Sequence, residues 1–307
     1  MAAPHARRSV GAALDGVRRE LGSRLFERVA GPEGPRRRER VHATEGPRWF
    51  DDGAAIRRVH GDASMFVGGI RALLLQSLHP LAMAGVMDHS GFEGDPWGRL
   101  QRTSYFLAIT TFGTAGDAQR MVDAIRSVHE TVVGTAPDGR PYSANDPHLL
   151  EWVHVAEIDS FLSAHQRYGA QPLDQAGRDE YVAQTARVAE ALGVPEPPRS
   201  EAGLRARLTA YRPELEGTPA ARETARFLLL RPPLPPLARA PYGGLAATAV
   251  SLMPLWARRE LRLPYLPLTE RVLVRSTGAA LTRTIRWAMA VPNATSAASS
   301  PAAAGTQ

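Results

Sequence analysis

Apolar residues recur every three or four positions along most of this sequence, and no stretch alternates apolar and polar residues for more than a few positions. The first period is that of one face of an α-helix, whereas a half-buried strand has a period of two. Asn145-Asp146-Pro147 adds a strong helix start, a cap residue followed by Pro at the first helical position, and predicts a helix to about Tyr168. The sequence therefore predicts an all-α fold.

Similar signals predict helices along the rest of the chain, separated by Gly- and Pro-rich turns. The predicted spans are 11–30, 56–86 with a kink or restart at Pro80, 97–112, 118–133, 177–192, 202–211 and 220–230, with two or three more helices between 245 and 290. Pro137-Asp138-Gly139 predicts a turn, and the prolines of residues 232–236 predict an extended crossing.

The basic residues are all arginine: the 37 Lys and Arg positions contain no lysine, and the chain has no cysteine. A lysine Schiff base, a P-loop, disulfides and thiolate-ligated metal or haem are therefore excluded. A metal or haem bound by this chain must be held by histidine or a carboxylate.

Residues 1–50 hold 11 Arg against 6 Asp and Glu, so nearly all of the formal charge of +6 lies there. We predict a solvated basic arm at 1–48, with a short helix and a linker at 31–46, and a folded domain at 49–291. Contact of the arm with a membrane surface or nucleic acid is the second interpretation, and the near-neutral folded domain argues against a nucleic-acid partner. Residues 292–307 are small and polar and predict a disordered tail.

No export signal is evident, because charged residues interrupt the apolar stretch that follows Arg7-Arg8. The longest apolar run, residues 244–256, contains Pro254 and is shorter than the ~20 residues that span a bilayer. We expect a cytoplasmic protein without a transmembrane segment.

Three histidines lie in the apolar part of the chain. His129 shares a helical stripe with Val122 and Ile125, His154 lies between Leu150 and Ile158 on another stripe, and His79 ends an apolar run. Each could be an ordinary core residue that is satisfied by hydrogen bonds. A neutral imidazole in an apolar pocket is also suited to ligate haem iron.

Five motifs occur in an order that is typical of one family. They are Leu73-Leu74-Leu75-Gln76-Ser77-Leu78-His79-Pro80, Asp95-Pro96-Trp97-Gly98-Arg99-Leu100-Gln101-Arg102-Thr103, Val128-His129-Glu130, Tyr142-x-Ala144-x-Asp146-Pro147 and Trp152-Val153-His154. From about Trp49 to Trp287 the chain resembles the catalytic domain of the rubber oxygenases (latex-clearing proteins) and MpaB-type oxygenases.

The resemblance implies a single globin-like bundle of helices around haem b. Its one histidine ligand to the iron corresponds to His129, and three distal residues correspond to Arg99, Arg102 and Thr103. The family's distal lysine is Arg102 here, and a guanidinium has no lone pair with which to ligate iron. Arg102 could instead bond dioxygen, a propionate or a substrate anion. The family's distal glutamate has no clear match, and Asp88 and His89 are the nearest polar candidates.

These observations predict a haem b-dependent oxygenase that uses O2 on a small hydrophobic or unsaturated substrate. Two alternatives stay open. The first is a non-catalytic haem-binding, gas-sensing or hydrophobic-ligand carrier protein of the same fold. The second is the same fold without haem, with the histidines as core residues. The sequence does not predict the oligomeric state.

Overall fold

The computed structural model describes residues 3–89 and 95–290, and it confirms the all-α prediction. The helices of the first half are α1 (Ala3–Ala30), α2 (Gly34–Ala43), α3 (Ala55–His60), α4 (Met65–Gln76), α5 (Pro80–His89), α6 (Pro96–Phe112) and α7 (Ala115–Glu130). Those of the second half are α8 (Pro147–Tyr168), α9 (Gln175–Leu192), α10 (Glu201–Ala210), α11 (Pro219–Leu230), α12 (Pro236–Leu252), α13 (Leu255–Glu260), α14 (Pro267–Thr269) and α15 (Arg275–Met289).

Short elements connect some of these helices. A 3-10 turn, Arg212–Glu214, precedes α11, and a π-helical turn, Glu270–Val274, joins α14 to α15. Strands β1 (Val133–Thr135) and β2 (Pro141–Ser143) pair antiparallel around the predicted turn at Pro137-Asp138-Gly139. The predicted tail at 292–307 lies outside the described residues.

The centre of the fold is α8. Its Asp146 cap accepts a hydrogen bond from the amide of His148 at 2.9 Å, as the local sequence predicts. More than half of its residues are buried, and they contribute to five hydrophobic clusters, the two largest of which include α3 and α9 in one case and α4, α11 and α12 in the other. A helix that is apolar around most of its circumference is stable only when other helices surround it.

Helix α4 makes the closest contact with α8. A Cβ atom added at Gly68 would lie 2.9 Å from Phe161 Cδ1 and 3.2 Å from Phe161 Cα. The two backbones therefore approach each other over a glycine. A buried ion pair joins the same two helices. Arg71 Nη2 of α4 lies 2.7 Å from Asp159 Oδ2 of α8, and the Arg71 side chain is 3% exposed.

In the N-terminal segment the structure corrects the prediction of a linker at 31–46, because residues 34–43 are helical. Gly31 ends α1 with a φ of 74°, and α2 follows at once with Pro35 in its first turn. Both helices pack on the body: α1 contacts α6 and α15, and α2 contacts α6. The sequence prediction failed because the Arg-rich segment of α2 is stabilised by distant partners.

One of these partners is the buried Asp117, whose Oδ1 lies 2.6 Å from Nη2 of Arg40 in α2. This guanidinium lowers the pKa of Asp117 to about 2. Arg37 stacks on the ring of Tyr105, and Arg28 of α1 stacks on that of Trp97. Much of the excess positive charge of this segment is therefore held against aromatic rings and carboxylates of the body.

None of the described helices is by itself long and apolar enough to cross a membrane. Helices α4 and α5 reach the necessary length and apolarity only when they are taken together, and they are bent by 104° at the break between them.

Candidate functional site

Helices α6 and α7 carry the predicted site residues. Only Gly113 and Thr114 separate the two helices, and the helices contact each other. Arg99 lies 14 residues before Gly113, and His129 lies 15 residues after Thr114. At a rise of about 1.5 Å per residue, both are roughly 20 Å from the connection. Arg99 therefore lies in the first turn of α6 and His129 in the last turn of α7, at the helix ends that are distant from the connection.

His129 is half-buried in the last turn of α7, on the same face as the buried Val122. Its Nδ1 atom is buried and has no hydrogen-bond partner. Burial lowers the pKa of His129, and the nearby Asn145 opposes this shift in part. The imidazole is therefore neutral at pH 7 and carries a lone pair that can bind a metal ion.

Asn145 is a site residue that the sequence analysis missed. Its Nδ2 donates to the carbonyl of Arg126 at 3.0 Å, one turn before His129, while its Oδ1 is buried without a partner. His129 Nδ1 and Asn145 Oδ1 are both buried without a hydrogen bond to any other described residue, and the effect of Asn145 on the pKa of His129 shows that the two side chains lie close together. An Nδ1–H···Oδ1 bond would leave the Nε2 lone pair free, which is the arrangement that orients a metal-binding histidine. In the sequence it indicates only the start of the helix that follows.

The three predicted distal residues have different environments. Arg99 is half-buried, and burial followed by repulsion from Arg102 lowers its pKa. Arg102 is exposed and lies 3.1 Å from Asp95 Oδ2, so it forms an ion pair with the N-cap residue of its own helix. Thr103 is exposed. Arg99 is therefore the one of the three that the protein partly withdraws from solvent.

The two candidates for a distal base are both engaged by the β-hairpin. Asp88 Oδ2 accepts a hydrogen bond from the hydroxyl of Tyr142 at 2.6 Å, and this bond raises the pKa of Tyr142 to about 12. His89 Nε2 lies 3.2 Å from the carbonyl oxygen of Val133. Both residues therefore hold the end of α5 against the hairpin.

Helix α8 contributes a second pair of titratable groups, both half-buried. His154 and Glu157 are three residues apart and share one face of the helix. Burial lowers the pKa of His154 to about 4 and raises that of Glu157 to about 7. His154 Nε2 has no partner, so the prediction of a hydrogen-bonded core histidine is wrong for this atom. Glu157 can hold or release a proton near neutral pH, a property that its sequence context did not reveal.

A neutral polar network surrounds His60 where α3, α6 and α9 meet. His60 Nδ1 lies 2.8 Å from Thr111 Oγ1, and its Nε2 lies 3.3 Å from the hydroxyl of Tyr181. Burial lowers the pKa of His60 to about 3 and raises that of Tyr181 well above its ordinary value. Both groups are therefore uncharged, and they link the three helices without burying a charge.

His79 also differs from the expected satisfied core residue. It is 1% exposed, yet neither ring nitrogen makes a hydrogen bond, and its Nε2 lies 3.6 Å from Glu214 Oε2. His148 Nε2 lies 2.7 Å from the same carboxylate oxygen. These three residues converge although 135 positions separate the first from the last. No spacing motif connects them, so the sequence could not reveal the cluster.

Comparison with known proteins gives the family. The family described as ER-bound oxygenase mpaB/B'/Rubber oxygenase, catalytic domain, matches residues 57–287, most of the chain. The chain therefore belongs to this family of oxygenase catalytic domains, as its motifs predicted.

Two curated relatives are uncharacterized proteins of Mycobacterium bovis and Mycobacterium tuberculosis. Each is 33% identical over 129 residues, which cover 40% of this chain and 50% of the relative. The match thus spans about half the length of these relatives. No solved structure matches the chain.

Proposed function

We propose that this protein is a haem b-dependent oxygenase that uses O2 to oxidise a small hydrophobic or unsaturated substrate, with His129 as the iron ligand. Membership of the oxygenase family supports the reaction class. The observation that carries the cofactor assignment is the neutral imidazole of His129, whose buried Nδ1 lies beside the side chain of Asn145.

The chain's own residues fit such a group on one side. Asn145 is anchored by the carbonyl of Arg126, and its Oδ1 would accept the Nδ1 proton of His129. This bond selects the tautomer whose Nε2 lone pair is free and fixes the plane of the ring. When bound, haem supplies the iron centre for oxygen chemistry.

On the α6 side, Arg99 provides a permanent positive charge in a partly desolvated position. A guanidinium remains protonated even when burial lowers its pKa, so Arg99 can donate hydrogen bonds to a propionate, an oxygen ligand or a substrate anion. Arg102 and Thr103 are more exposed than Arg99, and we assign them a secondary role at the edge of the proposed site. Arg102 must release Asp95 before it can contact a ligand.

Glu157 is our candidate for the residue that accepts or donates a proton within the domain. With a pKa of about 7, it is partly protonated at neutral pH. Asp88 is less suited to this role, because it already accepts a short bond from Tyr142.

The test is the visible spectrum of the full chain after expression with added haem, with pyridine-haemochrome quantitation. We expect a Soret band that corresponds to about one haem per chain and shifts on reduction and on addition of carbon monoxide. His129→Ala should abolish haem retention, whereas His42→Ala, which changes an exposed histidine, and His154→Ala should retain it.

Asn145→Ala should keep the fold but weaken haem retention by about 10–100-fold, the usual effect of losing a partner of a metal-bound histidine. Equal loss of haem in all four variants would indicate misfolding and contradict the assignment of His129. A folded, colourless wild-type chain that cannot be reconstituted would overturn the proposal. A haem-loaded chain that binds carbon monoxide but consumes no O2 with unsaturated hydrocarbons would favour the carrier or sensor alternative.

A further inference from the structure

A second group of ligand-type side chains lies outside the α6–α7 site. His79 ends the connection between α4 and α5, His148 is in the first turn of α8, and Glu214 ends the 3-10 turn before α11. One nitrogen of each histidine and one oxygen of Glu214 all lie within 4.8 Å of one another. Three separate elements therefore present donor atoms to one point.

His79 is the buried member, and the carboxylate of Glu214 lies 3.6 Å from its Nε2. It is 1% exposed, its ring lies against those of Trp152 and His148, and both of its nitrogens lack hydrogen bonds. A buried polar group without a hydrogen bond destabilises the folded chain. A ligand at the cluster would remove this cost.

The surroundings of His79 are held in place by backbone contacts. The amide of Glu216 donates to the carbonyl of Leu78 at 2.8 Å, and the indole of Trp152 donates to the carbonyl of Gln76 at 3.2 Å. The connection that carries His79 is thus fixed to α8 and to the segment after Glu214. The donor atoms are held by the fold rather than by a flexible loop.

His148 is oriented through its second nitrogen. While Nε2 faces Glu214, Nδ1 lies 3.3 Å from the hydroxyl of Tyr211, which is 2.9 Å from Glu151 Oε2. Glu151 in turn pairs with Arg207 at 3.0 Å. A hydroxyl and a carboxylate behind a histidine are the outer partners that orient metal-binding imidazoles.

We propose that His79, His148 and Glu214 form a binding site for a divalent transition-metal ion of the zinc type. Two imidazoles and one carboxylate suit this class, whereas Mg²⁺ and Ca²⁺ prefer oxygen ligands alone. Donor atoms around a tetrahedral zinc ion lie about 3.3 Å apart. The two separations from Glu214, 2.7 and 3.6 Å, fall on either side of that value, and the two histidine nitrogens lie within 4.8 Å of each other.

The site opens towards solvent at His148 and Glu214, whose side chains are 50% and 40% exposed. A water molecule can therefore occupy the fourth position. The bound ion would fasten the α4–α5 connection to α8 and to the turn before α11, and it would stabilise the folded chain. This site shares no residue with the proposed haem site, and it does not depend on the oxygenase assignment.

The experiment measures Zn²⁺ binding by the full chain after chelator treatment and desalting, using elemental analysis and calorimetric titration with Zn²⁺ alone. The variants are Glu214→Gln and His148→Gln, and the matched control is Glu216→Gln, which changes an exposed carboxylate two residues away. We expect one zinc per chain in the wild type and the control, and at least about 10-fold weaker binding in both site variants.

Melting temperatures provide an independent readout. Zinc should raise the melting temperature of the wild type and the control but not that of the site variants, and all four chains should melt alike with chelator. Equal zinc binding by all four chains, or no stoichiometric zinc in the wild type, would overturn the proposal. Because iron is measured in the same samples, loss of haem without loss of zinc would contradict only the proposed function.

Discussion

Arg286 forms a bidentate ion pair with Asp62, although 224 positions separate the two residues. Its Nε lies 2.9 Å from Asp62 Oδ2, and its Nη2 lies 3.0 Å from Oδ1. The same Nη2 donates to the carbonyl of Tyr168 at 2.9 Å, at the end of α8. The pair therefore joins α15 to the start of α4 and to the central helix.

Replacement of this arginine should be costly. In Arg286→Met, Asp62 would stay 7% exposed without its cation, so we expect a loss of roughly 2–4 kcal/mol in the free energy of unfolding. Arg283→Met on the exposed side of the same helix should change stability by less than about 0.5 kcal/mol. Urea denaturation measures both. Similar losses in the two variants would show that the ion pair contributes nothing specific.

The same pair predicts acid sensitivity. Burial by itself would raise the pKa of Asp62, but Arg286 and the backbone amides of Ser64 and Ala170 outweigh it and hold the pKa below its ordinary value. The resulting stability is present above the unfolded pKa of about 3.9 and is lost as the pH falls through the lower native value. Asp62→Asn should therefore destabilise the protein most at neutral pH, with a difference that shrinks below about pH 4. A constant difference from pH 7 to pH 3 would contradict this origin.

Glu157 should give the opposite pH dependence. Its native pKa of about 7 lies above the ordinary value of 4.5, so the folded chain keeps a proton that the unfolded chain has lost. Stability from this residue is full below about pH 4.5, declines up to about pH 7 and is then constant. Glu157→Gln should therefore raise the unfolding free energy at pH 7 by roughly 1–3 kcal/mol and have little effect at pH 4. Denaturant titrations at both pH values provide the test, and destabilisation at pH 7 would exclude a buried, strained carboxylate.

Adjacent glycines in α4 form a matched pair. A Cβ at Gly68 would meet the backbone and ring of Phe161, whereas a Cβ at Gly69 would meet no atom within 4 Å. Gly68→Ala should cost about 1–3 kcal/mol by forcing α4 away from α8. Gly69→Ala should be neutral or stabilise the helix by up to about 1 kcal/mol. Thermal unfolding compares them directly, and equal effects would mean that α4 and α8 do not approach as closely as described.

Arg99 and Arg102 should differ in their effect on haem. If Arg99 bonds an anionic group of the cofactor, Arg99→Met should weaken haem retention by about 10-fold, which corresponds to one charge-assisted hydrogen bond. Arg102→Met loses only an exposed pair with Asp95 and should change retention by less than about 3-fold. Haem transfer to an apo-globin acceptor measures the difference. A larger effect of Arg102→Met would place Arg102, rather than Arg99, against the cofactor.

Local signals in the sequence determined most of the helices. The predicted helix from Pro147 to about Tyr168 agrees with α8, and the spans predicted for α6, α9, α10 and α11 agree to within two residues at each end. Capping bonds and apolar periodicity act over about four residues, so they can be read without knowledge of the fold. The family, too, was evident from short motifs in a characteristic order.

Tertiary structure decided what depends on packing between distant segments. Residues 34–43 are helical because Asp117 and Tyr105 of the body hold the arginines of α2. Asn145 reaches the turn before His129 only because the β-hairpin returns the chain to the end of α7. The proposed zinc site forms because the α4–α5 connection, the first turn of α8 and the turn before α11 lie close together. These elements carry His79, His148 and Glu214. Such contacts depend on how helices pack, and side chains so far apart in sequence carry no local signal of the partner they will meet.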